Sequence, residues 1–189
     1  MSRVAGVDEA GRGPLAGPVY AAAVVLAPGC GLPLDDSKRL SPDRRRRLFP
    51  QIRAQAVGCA IASASAREID QLGILAATLL AMSRALDGLG SLAEAALIDG
   101  RQVPDVSLPC QAVVRGDQTV PAISAASILA KVARDELMVE LDGRFPAYGF
   151  ARHKGYPTRR HIDALMRHGP CPEHRRSFAP VRRAMDRLT

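Results

Sequence analysis

The chain has 189 residues, of which 47% are hydrophobic, 24% charged and 4% aromatic; this is the profile of one globular domain and excludes disordered, collagenous and coiled-coil readings. Such a length buries a substantial core without disulfide or metal staples, yet is too short for two full-sized domains. The net charge of +7 is unevenly laid out, because residues 144–189 carry eleven Lys or Arg against three acids while residues 1–143 net −1.

In chain order, Arg3 to Asp8 and Val19 to Ala27 read as two strands joined by a Gly- and Pro-rich loop, and the second is too apolar to face water. Ser41-Pro42 opens a helix, with serine as cap and proline in the first turn, and Pro50 is expected to bend or shorten it. The Arg44 to Arg47 run is expected on its exposed face. Val57 to Ser63 is a third strand, and Ile74 to Leu86 has helical spacing that stops at Gly88 to Gly90. Ala95 to Asp99 and Gln111 to Arg115 are strands that each end close to an acid. Ala122 to Leu141, entered through Pro121, is the strongest helix. Beyond Phe145 the texture changes to glycine, proline and two short basic helices, about Thr158 to His168 and Pro172 to Leu188. The pattern predicts a mixed, three-layer α/β body over residues 1–145 and a small basic helical appendage over residues 146–189.

Nothing near Met1 to Asp8 reads as a secretory signal, and the longest apolar run, Val19 to Pro28, is too short to span a bilayer. The four cysteines, Cys30, Cys59, Cys110 and Cys171, form no C-x-x-C pair, so a reducing cytoplasm is the expected compartment. The basic last quarter suggests a polyanionic partner, although composition alone leaves a merely solubilising face equally open. His161 and His168 are seven apart, but with Cys171 as the sole soft ligand near them a zinc site is rejected and the histidines are expected to be exposed. No heptad or long apolar stripe is present, so a monomer is expected.

Four acids fall at or just beyond inferred strand ends: Asp8, Glu9, Asp99 and Asp117. Strand ends are where open α/β sheets usually bind ligands. Carboxylates gathered there repel one another unless a hard cation intervenes, and an all-oxygen site suits Mg²⁺ or Mn²⁺. Two such ions about 3.5–4 Å apart serve in-line displacement at phosphate, so a basic arm beside this cluster points to a nuclease. Adjacent strand residues face opposite ways, so Asp8 and Glu9 cannot both aim inward unless the strand ends or twists at Glu9. Two rivals are a noncatalytic nucleic-acid binder and a nucleotide phosphotransferase. The second is poor, because the glycine loop lacks G-x-x-x-x-G-K-[ST] and joins two strands.

Five stretches then become recognisable in order: Asp8-Glu-Ala-Gly-Arg-Gly-Pro-Leu-Ala-Gly-Pro18, Asp36-Ser-Lys38, Ile98-Asp-Gly100, Ile123-Ser-Ala-Ala-Ser-Ile-Leu-Ala-Lys131 with Arg134-Asp135, and His153-Lys-Gly-Tyr-Pro-Thr158 with Arg175-Arg-Ser-Phe178. They resemble bacterial ribonuclease HII from Asp8 to about Val181. The resemblance implies a ribonuclease H-like mixed β-sheet flanked by helices. It also implies an endoribonuclease that cuts the RNA strand of RNA/DNA hybrids and incises duplex DNA 5′ to a single ribonucleotide, leaving 3′-hydroxyl and 5′-phosphate ends. In that reading Asp8, Glu9, Asp99 and Asp117 are the metal-binding carboxylates for two Mg²⁺ or Mn²⁺ ions. Gly11, Arg12 and Gly13 resemble the loop that senses the 2′-hydroxyl, where glycine permits close main-chain approach; alone, a Gly-x-Gly marks no more than a turn. Tyr156 resembles the tyrosine that stacks on the deoxyribose after the ribonucleotide. Lys38, Lys131 and Lys154 are the only lysines, and their placement inside the motifs suggests phosphate contacts. Ser124, Ser127 and Lys131 share a helix face; the serines either touch phosphate or allow tight helix–sheet packing. No obligate protein partner is implied.

Overall fold

The structure, a computed structural model, describes residues 3–34, 37 and 39–187. Strands β1 (Val4–Ala10), β2 (Val19–Leu26), β3 (Ala56–Ala64), β4 (Ala95–Asp99) and β5 (Cys110–Val113) form one sheet in the order β3-β2-β1-β4-β5. The first three are antiparallel neighbours, whereas β4 and β5 run parallel to β1. Helices α1 (Pro42–Gln55), α2 (Ala66–Leu72), α3 (Ile74–Leu89), α4 (Gly116–Thr119), α5 (Pro121–Arg144), α6 (Phe150–His153), α7 (Arg159–His168) and α8 (Ala179–Asp186) complete the order. The result is the expected mixed sheet between helical layers. Among the described residues no helix is long and apolar enough to cross a membrane.

Both faces of β2 are covered, which explains its lack of polar alternation. Val19, Ala21 and Ala23 pack with Ala77, Ala81 and Ala85 of α3. On the other face Ala22 and Val24 pack with Leu48 and Ile52 of α1 and Ala125, Ala126 and Leu129 of α5. Alanine on both sides lets the helices lie close to the sheet. The C-terminal helices attach through the glycine loop itself: Leu15 is buried with Leu165, Val181 and Ala184, and Ala16 with Met138, Tyr148 and Phe150.

Several elements differ from expectation, each through contacts remote in sequence. α1 passes through Pro50 and ends only at Gln55, where β3 begins. Arg45 is buried, not exposed, and donates to the carbonyls of Ser37 and Leu40 at 2.6 and 2.8 Å. α2 is additional; its Ser65 and Glu68 form a capping box. The helix expected from Pro172 starts only at Ala179, because Arg175 N–H donates to Leu15 O and those of Arg176 and Ser177 to the Asp70 carboxylate. These bonds, with a single bridge between His174 and Ala16, hold the segment against the body as successive turns.

Three of the four histidines are the largest correction, whereas His168 is exposed as expected. His153, His161 and His174 are buried, with the rings of His153 and His161 stacked at 4.5 Å and Nε2 of His161 and His174 3.0 Å apart. Aromatic walls from Tyr148 and Phe150 surround them, so they serve as polar members of a core.

Candidate active site

The β1–β4 register pairs Val7 with Ile98, so the next residues stand side by side, Asp99 at the carboxyl end of β4 and Asp8 two residues before that of β1. Asp117 reaches the same place from α4, just beyond β5. Its backbone N–H donates to Asp99 Oδ1 at 3.3 Å, and its carbonyl accepts from Ser124 Oγ at 2.7 Å. Arg115, in the left-handed conformation at φ 57°, turns the chain into α4. One carboxylate oxygen from each of Asp8, Asp99 and Asp117 lies within 4.8 Å of the others.

Burial, then the nearby Glu9 and Asp99 charges, push the Asp8 carboxyl well above its ordinary range. A bond from Glu9 N–H at 2.7 Å and one from the Ser127 hydroxyl oppose this only in part. Three crowded oxygen donors with no soft ligand among them fit a hard divalent ion.

Glu9 stands apart from this trio. The strand neither ends nor kinks there but continues to Ala10, so Glu9 faces α3 while Asp8 faces α5. Glu9 lines a cleft of about 380 Å³ together with Arg12, Thr78, Met82 and Asp99. Burial raises its carboxyl above the usual range against the pull of Arg12, whose guanidinium is 3.5 Å away, and Asp99 adds to the rise. The Asp99 charge thus acts on both acids of β1.

The glycine loop is held from beneath by two fully buried arginines. Arg175 donates to the carbonyls of Gly11, Arg12 and Gly17 at 2.5, 2.9 and 2.9 Å. Arg134 donates to those of Ala16 and Pro18, both at 3.1 Å. With these oxygens turned inward, Arg12 and Gly13 are exposed, and among the described residues their N–H groups meet no protein acceptor. Tyr156, 43% exposed, lies against the loop: a Cβ on Gly13 would sit 3.5 Å from its ring. Neither buried arginine was singled out as a site residue from sequence; the signal available was their place inside the recognisable motifs.

The remaining expected contacts are more enclosed. Ser124 and Ser127 are buried, the first bonded to main-chain carbonyls and the second to Ser37 Oγ at 2.7 Å. Lys131 is paired with Asp135 at 2.7 Å. Lys154, left-handed at φ 51°, donates to Ala151 O at 2.6 Å. Lys38 lies outside the described residues.

A family model described as Ribonuclease HII matches residues 5–181. Ribonuclease HII of Burkholderia mallei is 59% identical over 184 residues, covering 97% of this chain and 86% of that protein. Among solved structures, ribonuclease H2 from Pyrococcus horikoshii superposes with a TM-score of 0.85 at 26% identity, covering 98% of both chains. The ribonuclease HII of a PCNA complex from Archaeoglobus fulgidus gives 0.68 at 28% identity, covering 87% of this chain and 85% of that one.

Proposed function

The chain belongs to the ribonuclease HII family, a metal-dependent ribonuclease H acting on RNA/DNA hybrids, and from that premise we propose that it also incises duplex DNA 5′ to single embedded ribonucleotides. One observation carries this reading: the exposed Arg12–Gly13 turn, whose N–H groups meet no acceptor among the described residues, lies in contact range of the exposed Tyr156 ring, a Cβ on Gly13 falling 3.5 Å from it. A turn with open main-chain donors can bond a ribose 2′-hydroxyl. A tyrosine beside it meets the following sugar, where a second hydroxyl would spoil the fit.

Asp8, Asp99 and Asp117 would hold the ions, with Glu9 reaching them from the far side of β1. Two Mg²⁺ or Mn²⁺ ions bound there would lower the pKa of the attacking water and neutralise charge at the scissile phosphate, leaving 3′-hydroxyl and 5′-phosphate ends. The chain's own part is positioning. Ser124 fixes the Asp117 main chain, Ser127 bonds Asp8, and the buried arginines present the sensing turn. Lys131, Lys154 and the basic C-terminal helices supply phosphate contacts with little reading of base sequence, and Lys38 is assigned the same role from its motif. The body and the appendage beyond residue 145 act as one binding surface, in a monomer working in the cytoplasm.

The test is a duplex with one ribonucleotide, incubated with Mg²⁺, Mn²⁺ or chelator. Cutting on the 5′ side in metal alone is expected; a chain that cuts long hybrids but leaves this duplex whole overturns the junction reading. In the same assay Tyr156→Ala is expected to lower kcat/KM on the single-ribonucleotide duplex about tenfold more than on a long hybrid, equivalent to ~1.4 kcal/mol.

A further inference from the structure

We propose that Arg134 is a specificity-determining positioning residue, which from α5 sets the spacing between the 2′-hydroxyl-sensing turn and Tyr156. The inference rests on the junction reading above and adds to it the group that holds the two reading elements in register.

The geometry is a bridge. Arg134 is 0% exposed. Its Nε and one terminal nitrogen donate to Pro18 O and Ala16 O in the glycine loop, and its other terminal nitrogen donates to Lys154 O, two residues before Tyr156, all at 3.1 Å. A planar guanidinium places these donors in a fixed fork, so one rigid group measures the gap between segments more than 130 positions apart in the sequence. The loops touch directly beneath it: Leu15 N–H donates to Gly155 O at 2.8 Å.

Backbone packing leaves little slack at this junction. Gly11 crosses the guanidinium at φ +101°, and a Cβ there would lie 2.0 Å from Arg134 Nε. Gly155, at φ +82°, would place a Cβ 2.6 Å from Ala16 O. Both conformations disfavour any residue with a side chain. Arg175 provides the contrast, since its side chain bonds carbonyls of the glycine loop alone. Arg134 is the buried cation that ties that loop to the Tyr156 segment.

Burying a cation against neutral carbonyls is costly. Desolvation duly lowers the Arg134 pKa, with Tyr156 foremost among the opposing influences.

The experiment compares kcat/KM on a single-ribonucleotide duplex and on a long hybrid for the full chain, Arg134→Lys, Tyr156→Ala and the double variant, with thermal melting of each. Lysine keeps the charge and loses the fork. Arg134→Lys is expected to lower the junction-to-hybrid ratio about tenfold, and the double variant to match Tyr156→Ala alone, because the arginine acts through the tyrosine. Gly155→Ala forces the same gap open by pressing on Ala16 O, an acceptor of Arg134, while keeping the arginine itself; it should lower the ratio likewise, and it decides the matter if Arg134→Lys does not fold. Equal losses on both substrates, or ratio losses that multiply in the double variant, overturn the positioning role. An unchanged ratio in Tyr156→Ala instead removes the junction reading itself, whereas a lowered ratio there with an unchanged one in Arg134→Lys removes the arginine's role alone.

Discussion

Replacing Asp8 with asparagine is expected to abolish cleavage of both substrates, a loss of at least about 10³-fold or ~4 kcal/mol of transition-state stabilisation. The substitution keeps the shape and the acceptor that Glu9 N–H uses but takes one of three clustered charges from the proposed ion site. Binding of the hybrid, assigned above to proposed phosphate contacts elsewhere, should change little. The stability of the metal-free protein should move the other way. The folded-state pKa of Asp8 is raised, so its contribution to stability is fully present below the ordinary value of 3.8 and is lost as pH rises through the folded value. At pH 7 the acid costs stability relative to acidic solution, a cost that asparagine removes, so the chelated variant should melt at or above the wild type. Added Mg²⁺ should then raise the melting temperature of the wild type far more than that of the variant. An Asp8→Asn protein that cuts normally with Mg²⁺ defeats the assignment.

The sheet and its acidic ends were legible because both depend on local pattern. Unbroken apolar runs marked β2, and a strand ending in Ile98-Asp-Gly100 carried its own stop. What sequence could not show was the direction of each acid. Glu9 faces α3 because β1 continues one residue past it, and that continuation depends on the pairing of Ala10 with Tyr20. The basic last quarter was read as a surface, yet Arg175, His161 and His174 are interior. Composition counts a buried arginine and an exposed one alike. The distinction arises only when a remote loop offers its carbonyls, as Gly11, Arg12 and Gly17 do to Arg175. The same nonlocal bonding held residues 172–178 out of the expected helix.

The buried histidines predict a loss of stability in weak acid. Cys171 N–H donates to His174 Nδ1 at 3.1 Å, so the neutral ring carries its proton on Nε2 and donates to His161 Nε2; His161 then donates from Nδ1 to Tyr156 O at 2.9 Å. A further proton on either ring would set two N–H groups against each other. Burial, then the neighbouring His161, lower the His174 pKa to about 3, and burial lowers that of His161 as well. Each therefore stabilises the fold fully above the ordinary value of 6.5, and the benefit is lost as pH falls from there toward the folded value. Between pH 7 and pH 5 the loss reaches ~2 kcal/mol for the strongly depressed His174. Asp8 and Glu9 act in the opposite sense in metal-free protein, since their raised values favour the fold as pH falls. The Asp8→Asn variant removes the larger of these opposing groups, so its urea midpoint in chelator should fall more steeply from pH 7 to pH 5 than that of the wild type. His174→Leu in that background should be less stable at pH 7 but show a flatter pH profile. A midpoint unchanged between pH 7 and pH 5 in the Asp8→Asn protein would show that these rings accept protons in the fold as readily as in the unfolded chain.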